Sequence, residues 1–512
     1  MELGDAIDAD VNARVRALDR AVTSDPPAGV VETAPTHRSL LVVYDRGVTN
    51  RAGLANALLE RLGGSLETPE PREPHLVPVL YGGDDGPDLA RIASEAGLTE
   101  AEAVRLHAGC EYTAYMVGFS PGFAYLGDVD PRLAMPRRGT PRVSVARGSV
   151  AIAGRLTAVY PSASPGGWNL IGRTSVPIFD PERQVPGLIL PGDRVRFRVV
   201  DTLPEPLIAM PAAPTEHPVL EVVDGGFLTT VQDLGRIGYR RLGVTPSGPM
   251  DAAAHRAANA LVGNPVDAAT LECTMMGPEL RFLAGTAFAV TGADLGATLE
   301  RSDLGSWDVP RGRRVLARTG NVLTFRGRRT GCRAYIAFAG GVEARIVLGS
   351  RSTDLANGFG GHGGRSLRAG DRLGLARTTA KPTMESWSSP PPDSAVTVRV
   401  VLGPQLEAFE VEAVRRFLRS DYALTLASDR VGCRLEGAPL HHAGRPEFVT
   451  DGMVPGSIEV PPMGQPIVMM ADAPTTGGYP KIATVLTDDL PLLAQLVPGD
   501  GRVRFQAVEL SG

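Results

Sequence analysis

The sequence predicts a mainly β protein, with a small α+β domain at the N-terminus and three related β-barrels, two of them in tandem in the C-terminal half. Short β-rich pieces punctuated by Gly and Pro, such as "YTAYMVGF", "GSVAIAG" and "GLILPGDRVRFRVV", dominate the chain from about residue 110. A series of phrases also recurs in order: "GSVAIAG", "SPGGWNLIGRT" and "PGDRVRF" return as "GSIEVPP", "TTGGYPKIATV" and "PGDGRVRF". The Pro-Gly-Asp turn follows the first phrase by 43 residues in one copy and 42 in the other. Gly-Gly and Pro-Gly-Asp are common turn chemistry, but their matched order and spacing point to one β-unit used twice. A weaker third version, "RAYIAFAGG", "IVLGSRST" and "LRAGDRL", lies between them.

Residues 1–100 alternate helix and strand signals. "NARVRALDRAV" and "NRAGLANALLERLGG" have helical spacing, "SLLVVYD" and "HLVPVLYG" read as strands, and Thr99 with Glu102 has capping-box spacing. Residues 101–202 form the first predicted barrel. Five prolines in 203–218 make a linker. Residues 219–378 and 395–510 are the second and third barrels, separated by the break "TTAKPTMESWSSPPPDS".

Composition narrows the function. The 512 residues are 43% hydrophobic and 21% charged, with a formal net charge of -5, which suits a globular protein and gives no basic field for nucleic acid. Cys110, Cys273, Cys332 and Cys433 are too scattered for a zinc site or a disulfide framework, and no metal site is expected. The acidic, amphipathic N-terminus is unlike a secretion signal, and no apolar run approaches the roughly 20 residues of a membrane span. The expected compartment is a reducing cytoplasm, with no membrane partner.

"LHAGCEYTAYMVGFSPGFAYLG", "PRVSVARGSVAIAG" and "YPSASPGGWNLIGRT" resemble the B subunit of the prokaryotic ATP-dependent 5-oxoprolinase. After the linker, "VVDGGFLTTVQDLGRIGYRRLGVTPSGPMDAAAHRAANALVGN", "TGADLGA", "SDRVGCRLEG" and "ADAPTTGGYPKIATVLTDDLPLLAQLVPGD" resemble its C subunit. The two families are also labelled allophanate hydrolase subunits 1 and 2, or carboxyltransferase domains. The resemblance implies a natural B–C fusion with cyclophilin-like barrels. It further implies a partner of LamB/YcsF type, the A component, and ATP with Mg2+ bound in that partner's presence. The implied reaction is hydrolysis of 5-oxoproline to glutamate, by a chain inactive alone. A homo-oligomer is left open. Cys433, Glu459 and Pro474 depart from residues commoner in the C family. The B family usually has a further strand ahead of "ELGDAID".

Opening an unstrained lactam needs anion and oxyanion contacts in a site that excludes water. Gly166 with Gly167, and Gly477 with Gly478, offer consecutive N–H groups to an anion, or simply turn a barrel corner. Trp168 and Tyr479 pack or stack. Arg173 and Lys481 are the nearby cations, and Lys481 is one of two lysines in the chain. Lys481 aligns with Leu170, so the two motifs are not chemically equivalent. His107 is a candidate acid–base group or a helix-end cap. Ser247 and Asp251 would orient water, or make a turn and a helix cap. Gln232, Asp233 and Arg236 line a cleft or brace a barrel; Thr291, Asp294, Asp472, Thr475 and Thr476 are further polar candidates. No P-loop sequence is present.

Two other functions fit the resemblance. One is a biotin-dependent carboxyltransferase or allophanate/urea amidolyase component. Neither lysine has a biotin-acceptor setting, so that reading needs a separate biotin carrier. The other is an interaction protein that inhibits a histidine kinase through the N-terminal half.

Overall fold

The computed structural model of the chain describes residues 1–64, 73–204, 217–376, 378, 380–389, 394–444 and 449–509. Most of the predicted linker, parts of the second break and residue 510 fall outside them. The N-terminal unit pairs strands Val30–Pro35 and Leu40–Tyr44 beneath helices Ala9–Ser24 and Arg51–Gly63. Val15, Leu18, Val22, Leu40, Leu54 and Leu58 make its small core, at helical spacing on the first helix.

Two closed seven-stranded barrels follow the same plan. The first runs Ser149–Ala153, Asn169–Arg173, His75–Tyr81, Arg194–Val199, Glu111–Val117, Ala124–Gly127, Leu156–Val159 and back to its start. The second runs Ser457–Glu459, Lys481–Val485, Ala395–Leu402, Arg502–Ala507, Tyr422–Leu424, Gly432–Glu436, Ile467–Met469 and back. Position by position the connectivity matches. Each ring has its parallel pairing at the same place, His75–Tyr81 with Arg194–Val199 and Ala395–Leu402 with Arg502–Ala507.

Two expectations need correction. Strand His75–Tyr81 is a barrel strand, so the first barrel begins before residue 101 and takes in helices Leu89–Glu95 and Glu100–Ala108. Its register partner, Arg194–Val199, lies over a hundred residues away, a pairing no local pattern reveals. The middle unit is not a closed ring. It has sheets of six and five strands, and Leu220, Leu280, Phe282 and Leu323 of one meet Leu271, Phe288, Ile336 and Phe338 of the other in a shared core.

The units are locked together by the segment after strand Leu228–Gln232. Arg240 forms a buried pair with Glu32 of the N-terminal unit at 2.6 Å and donates to the Met453 carbonyl of the last barrel at 3.2 Å. Arg241 pairs with Asp19 at 2.9 Å. Gly243 has φ +74, and its Cα faces the Ser120 carbonyl so closely that a Cβ would overlap it. Gly122 donates to the Leu242 carbonyl at 2.8 Å, and Thr245 donates to the Ala473 carbonyl at 2.8 Å.

Truncating Glu32 to Ala strands a buried guanidinium, which costs about 3–5 kcal/mol. The expected result is a lower urea midpoint together with faster proteolysis of residues 1–64. An unchanged midpoint would show that the units are held by other contacts.

Candidate active site at the junction of the barrels

Most of the resemblance-bearing loops meet where the two barrels and the N-terminal unit touch. "GFSPGF" of the first barrel leads Phe119 into a left-handed conformation (φ +67), a strained choice for a bulky residue. The strain aims the Phe119 N–H at Thr476 Oγ1, 2.9 Å away. Tyr125 extends from the same barrel and interacts with the Thr476 and Thr450 side chains. Burial holds the Tyr125 phenol above its ordinary range. His37 is enclosed between the Tyr115 and Tyr125 rings at 6.0 and 5.4 Å, and burial lowers it to about 3, so it stays neutral.

On the last barrel, Lys481 and Glu459 are register partners on neighbouring strands. The corresponding pair in the first barrel is Leu170 opposite Ala151. A wholly apolar position in one barrel is thus an ammonium facing a carboxyl in the other. Lys481 is buried, its Nζ lies 3.2 Å from Asp451 Oδ2, and its N–H donates to Gln405 Oε1 at 2.8 Å. Asp451 also accepts from Gln405 Nε2 at 3.1 Å and from Ser39 Oγ of the N-terminal unit. Burial opposes its charge, but Lys481, Ser39 and the Gly452 N–H together hold Asp451 below the usual carboxylate range.

Glu459 differs. It is 4% exposed, and its Oε1 has no hydrogen-bond partner among the described residues. Burial pushes its carboxyl up to about 7, against the opposing pull of Lys481. That oxygen rests on the Cα of Gly477, where a Cβ would overlap it.

The Gly-Gly motifs therefore resolve into unlike halves. Gly477 closes on Glu459, and Gly166 closes in the same way on the Tyr160 hydroxyl. Gly478 and Gly167 are open, with the nearest atoms to a new Cβ at 3.9 and 3.8 Å. None of the four has the positive φ that an anion nest requires, so the expected consecutive N–H cradle is replaced by close packing.

The other predicted residues divide between this junction and sites away from it. Thr475, Thr476, Gly477, Gly478, Tyr479 and Lys481 share its loop, and Thr475 Oγ1 is buried without a partner among the described residues. Trp168 is buried, 5.8 Å from the Tyr125 ring and 5.5 Å from Phe123, one layer behind the junction. His107 is enclosed in the first barrel, between Tyr81 (2.8 Å) and Thr157 (2.9 Å) and stacked on Phe197. Burial lowers it to about 3, which removes the acid–base role expected of it. Arg173 is half exposed, 3.5 Å from Asp85.

Asp251 caps helix Ala252–Val262 and accepts from Gln495 at 2.9 Å. It belongs to the seam where Arg430 ties Glu272 to Asp472. Asp233 braces the chain at Ser350 and Ser352, and Gln232 donates to Thr230. Arg236 stacks on Phe359 at 4.8 Å and donates to the Val347 and Ser352 carbonyls. Ser247 is buried at φ +56. Thr291 donates to the Ala254 carbonyl of helix Ala252–Val262 at 2.7 Å, and Asp294 accepts from the Gly296 N–H at 2.9 Å. Ser39, Phe119, Tyr125, Thr450 and Asp451 line the junction without being singled out by sequence reasoning, and the sequence marks Glu459 only as a departure from the C family. A further signal is the replacement of Ala151 and Leu170 by Glu459 and Lys481 in aligned copies.

Since the fold keeps a proton on Glu459 that the unfolded chain releases near 4.5, stability present below pH 4.5 is lost as pH rises through about 7. Glu459→Gln removes this loss. Its melting temperature relative to the native chain should rise from pH 5 to pH 8, by an amount corresponding to roughly 3 kcal/mol at most; parallel pH profiles would refute it. Gly477→Ala, which displaces the Glu459 carboxyl, should lower the melting temperature more than Gly478→Ala at pH 7.

Comparison with known proteins divides the chain into two matched regions. The family model for the carboxyltransferase domain, subdomain A and B, matches residues 242–507, and that for subdomain C and D matches 1–189. The chain is 39% identical to the C subunit of 5-oxoprolinase from Escherichia coli K12 over 55% of this chain and 89% of that protein. It is 46% identical to the B subunit of 5-oxoprolinase from Escherichia coli O157:H7 over 33% of this chain and 77% of that one. The crystal structure of TTHA0988 superposes with a TM-score of 0.87 at 36% identity, covering 99% of both chains. Part of the Kluyveromyces lactis urea amidolyase, 19% of that chain, matches 58% of this one at 30% identity and a TM-score of 0.53. The chain belongs to the carboxyltransferase-domain family, and carries on a single polypeptide a part related to the B subunit of 5-oxoprolinase followed by a part related to its C subunit.

Proposed function

We propose that this chain is the B and C component of an ATP-dependent 5-oxoprolinase. Together with a LamB/YcsF-type partner it hydrolyses 5-oxoproline to glutamate in the cytoplasm, and it is inactive alone. The observation that carries the reading is the junction. The B-like and C-like loops meet there around Glu459, a buried acceptor with no partner among the described residues.

A lactam offers one N–H donor beside one carbonyl acceptor. Glu459 Oε1 is placed to accept the ring N–H, and an amide oxygen at the same position would do so too. The buried hydroxyl of Thr475 is a donor for the carbonyl side. Lys481 lies under the site, where Asp451 fixes its position. Phe119, Phe123, Tyr125 and Tyr160 form an aromatic cluster beside the site.

ATP would supply the driving force, its terminal phosphoryl group passing to the amide oxygen with release of ADP, after which water would displace phosphate and the ring C–N bond would open. The junction's own cations do not fit a triphosphate: Lys481 is paired with Asp451, Arg240 with Glu32, and Arg430 with Glu272 and Asp472. The urea amidolyase likeness favours a carboxyltransferase as the second reading. Lys481 is buried and ion-paired, which leaves it no freedom to carry biotin, so that reading still needs a separate biotin carrier.

Mixing the purified chain with the LamB/YcsF-type partner, ATP and 5-oxoproline should release glutamate and phosphate in equal amounts. Glu459→Gln should retain turnover within about tenfold, because it keeps the acceptor. Glu459→Met should lose at least about 100-fold in kcat/KM. Phosphate release without glutamate, or biotin-stimulated carboxylation, would overturn the proposal.

A further inference from the structure

Outside the junction, unsatisfied donors collect on the ribbon made by strands Arg142–Val145 and Ser164–Gly166 of the first barrel, and on the turn leading into it. Arg138 joins the ribbon through its N–H to the Gly167 carbonyl at 2.8 Å. Asp88, buried on the neighbouring surface, accepts from Arg138 Nη1 at 2.8 Å, Arg142 Nη2 at 2.9 Å and the Leu170 N–H at 2.7 Å. One carboxylate thereby fixes the orientation of two guanidinium groups. It leaves Arg138 Nε, Arg142 Nη1 and Ser164 Oγ buried without a hydrogen-bond partner among the described residues.

An unpaired buried donor is expensive, and three on one ribbon point to a missing acceptor. Arg137 and Arg147 flank the ribbon, exposed and without a carboxylate partner among the described residues. Arg137 acts electrostatically on both Tyr125 and Tyr160. Its charge therefore stands at the edge of the junction.

We propose that this ribbon holds the phosphate groups of the nucleotide, with Arg137, Arg138, Arg142 and Ser164 as donors; the proposal rests on the ATP-dependent reading above. The ligand class follows from the donor set. Every available group is a guanidinium N–H or a hydroxyl, and the ribbon's one carboxylate is already taken, so the complement is an acceptor-only anion. Four arginines against one aspartate suit a polyphosphate better than a single carboxylate. Gly166 of the ribbon packs on the Tyr160 hydroxyl, in the aromatic cluster that includes Tyr125, so the ribbon lies beside the junction without drawing on the junction's own cations.

Calorimetric titration of the full chain, without the LamB/YcsF-type partner, tests this with ATP, inorganic triphosphate and 5-oxoproline as separate probes. ATP and triphosphate should bind with affinities that fall as salt rises. Arg137→Glu should weaken both at least about tenfold, and Ser164→Ala should weaken both with no change in melting temperature. Absence of triphosphate binding to the native chain, or unchanged affinity in both variants, would overturn the proposal. So would a loss confined to 5-oxoproline, which would assign the ribbon to the substrate carboxylate. Glutamate release with the partner present is measured in parallel, so the ribbon can fail while the 5-oxoprolinase reading stands, and the reverse.

Discussion

The guanidinium of Arg240 is the constraint on which the assembly depends. It leaves the middle unit, meets Glu32 of the N-terminal unit and reaches the Met453 carbonyl beside the last barrel's active loop. A charge this deeply buried is tolerated only when its partners stay in place. The relative placement of three units is therefore tied to one side chain, and Gly243 beneath Ser120 adds the first barrel to the same knot. The strained Phe119 can point its N–H at Thr476 because both loops are anchored within a few residues of this knot.

The two closed barrels show how one fold is put to two uses. Their strand orders coincide, including the place of the parallel pairing, yet their register partners differ: Ala151 with Leu170 in one and Glu459 with Lys481 in the other. The apolar version completes a packed aromatic layer with Trp168 and Tyr160. The ionic version leaves a carboxyl without a full set of partners, a cost in stability that is typical of a working site. The two barrels therefore present unlike surfaces to the junction.

Much of the architecture is legible in the sequence because repetition and turn chemistry are local. The paired phrases identify the matched barrels, and the Thr99–Glu102 capping box is present as expected. What local reading misses depends on distant partners. Strand His75–Tyr81 reads as part of an α+β unit because its barrel neighbours lie far along the chain. His107 reads as reactive because nothing in "RLHAG" reveals Tyr81, Thr157 and Phe197 around it. Asp451 gives no signal at all, since Ser39 reaches it from more than 400 residues away. Lys481 stands out by its rarity, and Glu459 by its departure from the C family and by comparing the copies.

The chain's continuity has an energetic consequence for such a site. Separate B-like and C-like proteins bear the translational and rotational cost of association before Phe119 can meet Thr476. On one chain that cost is largely replaced by a tethering term, equivalent to a high local concentration. On the proposed reading, the donors on the first barrel's ribbon and the acceptor on the last barrel's loop would be complementary halves of one requirement, an anion bound beside an amide. Neither barrel meets it alone, and the buried Arg240–Glu32 pair, with the contacts around Gly243, keeps the two halves in register.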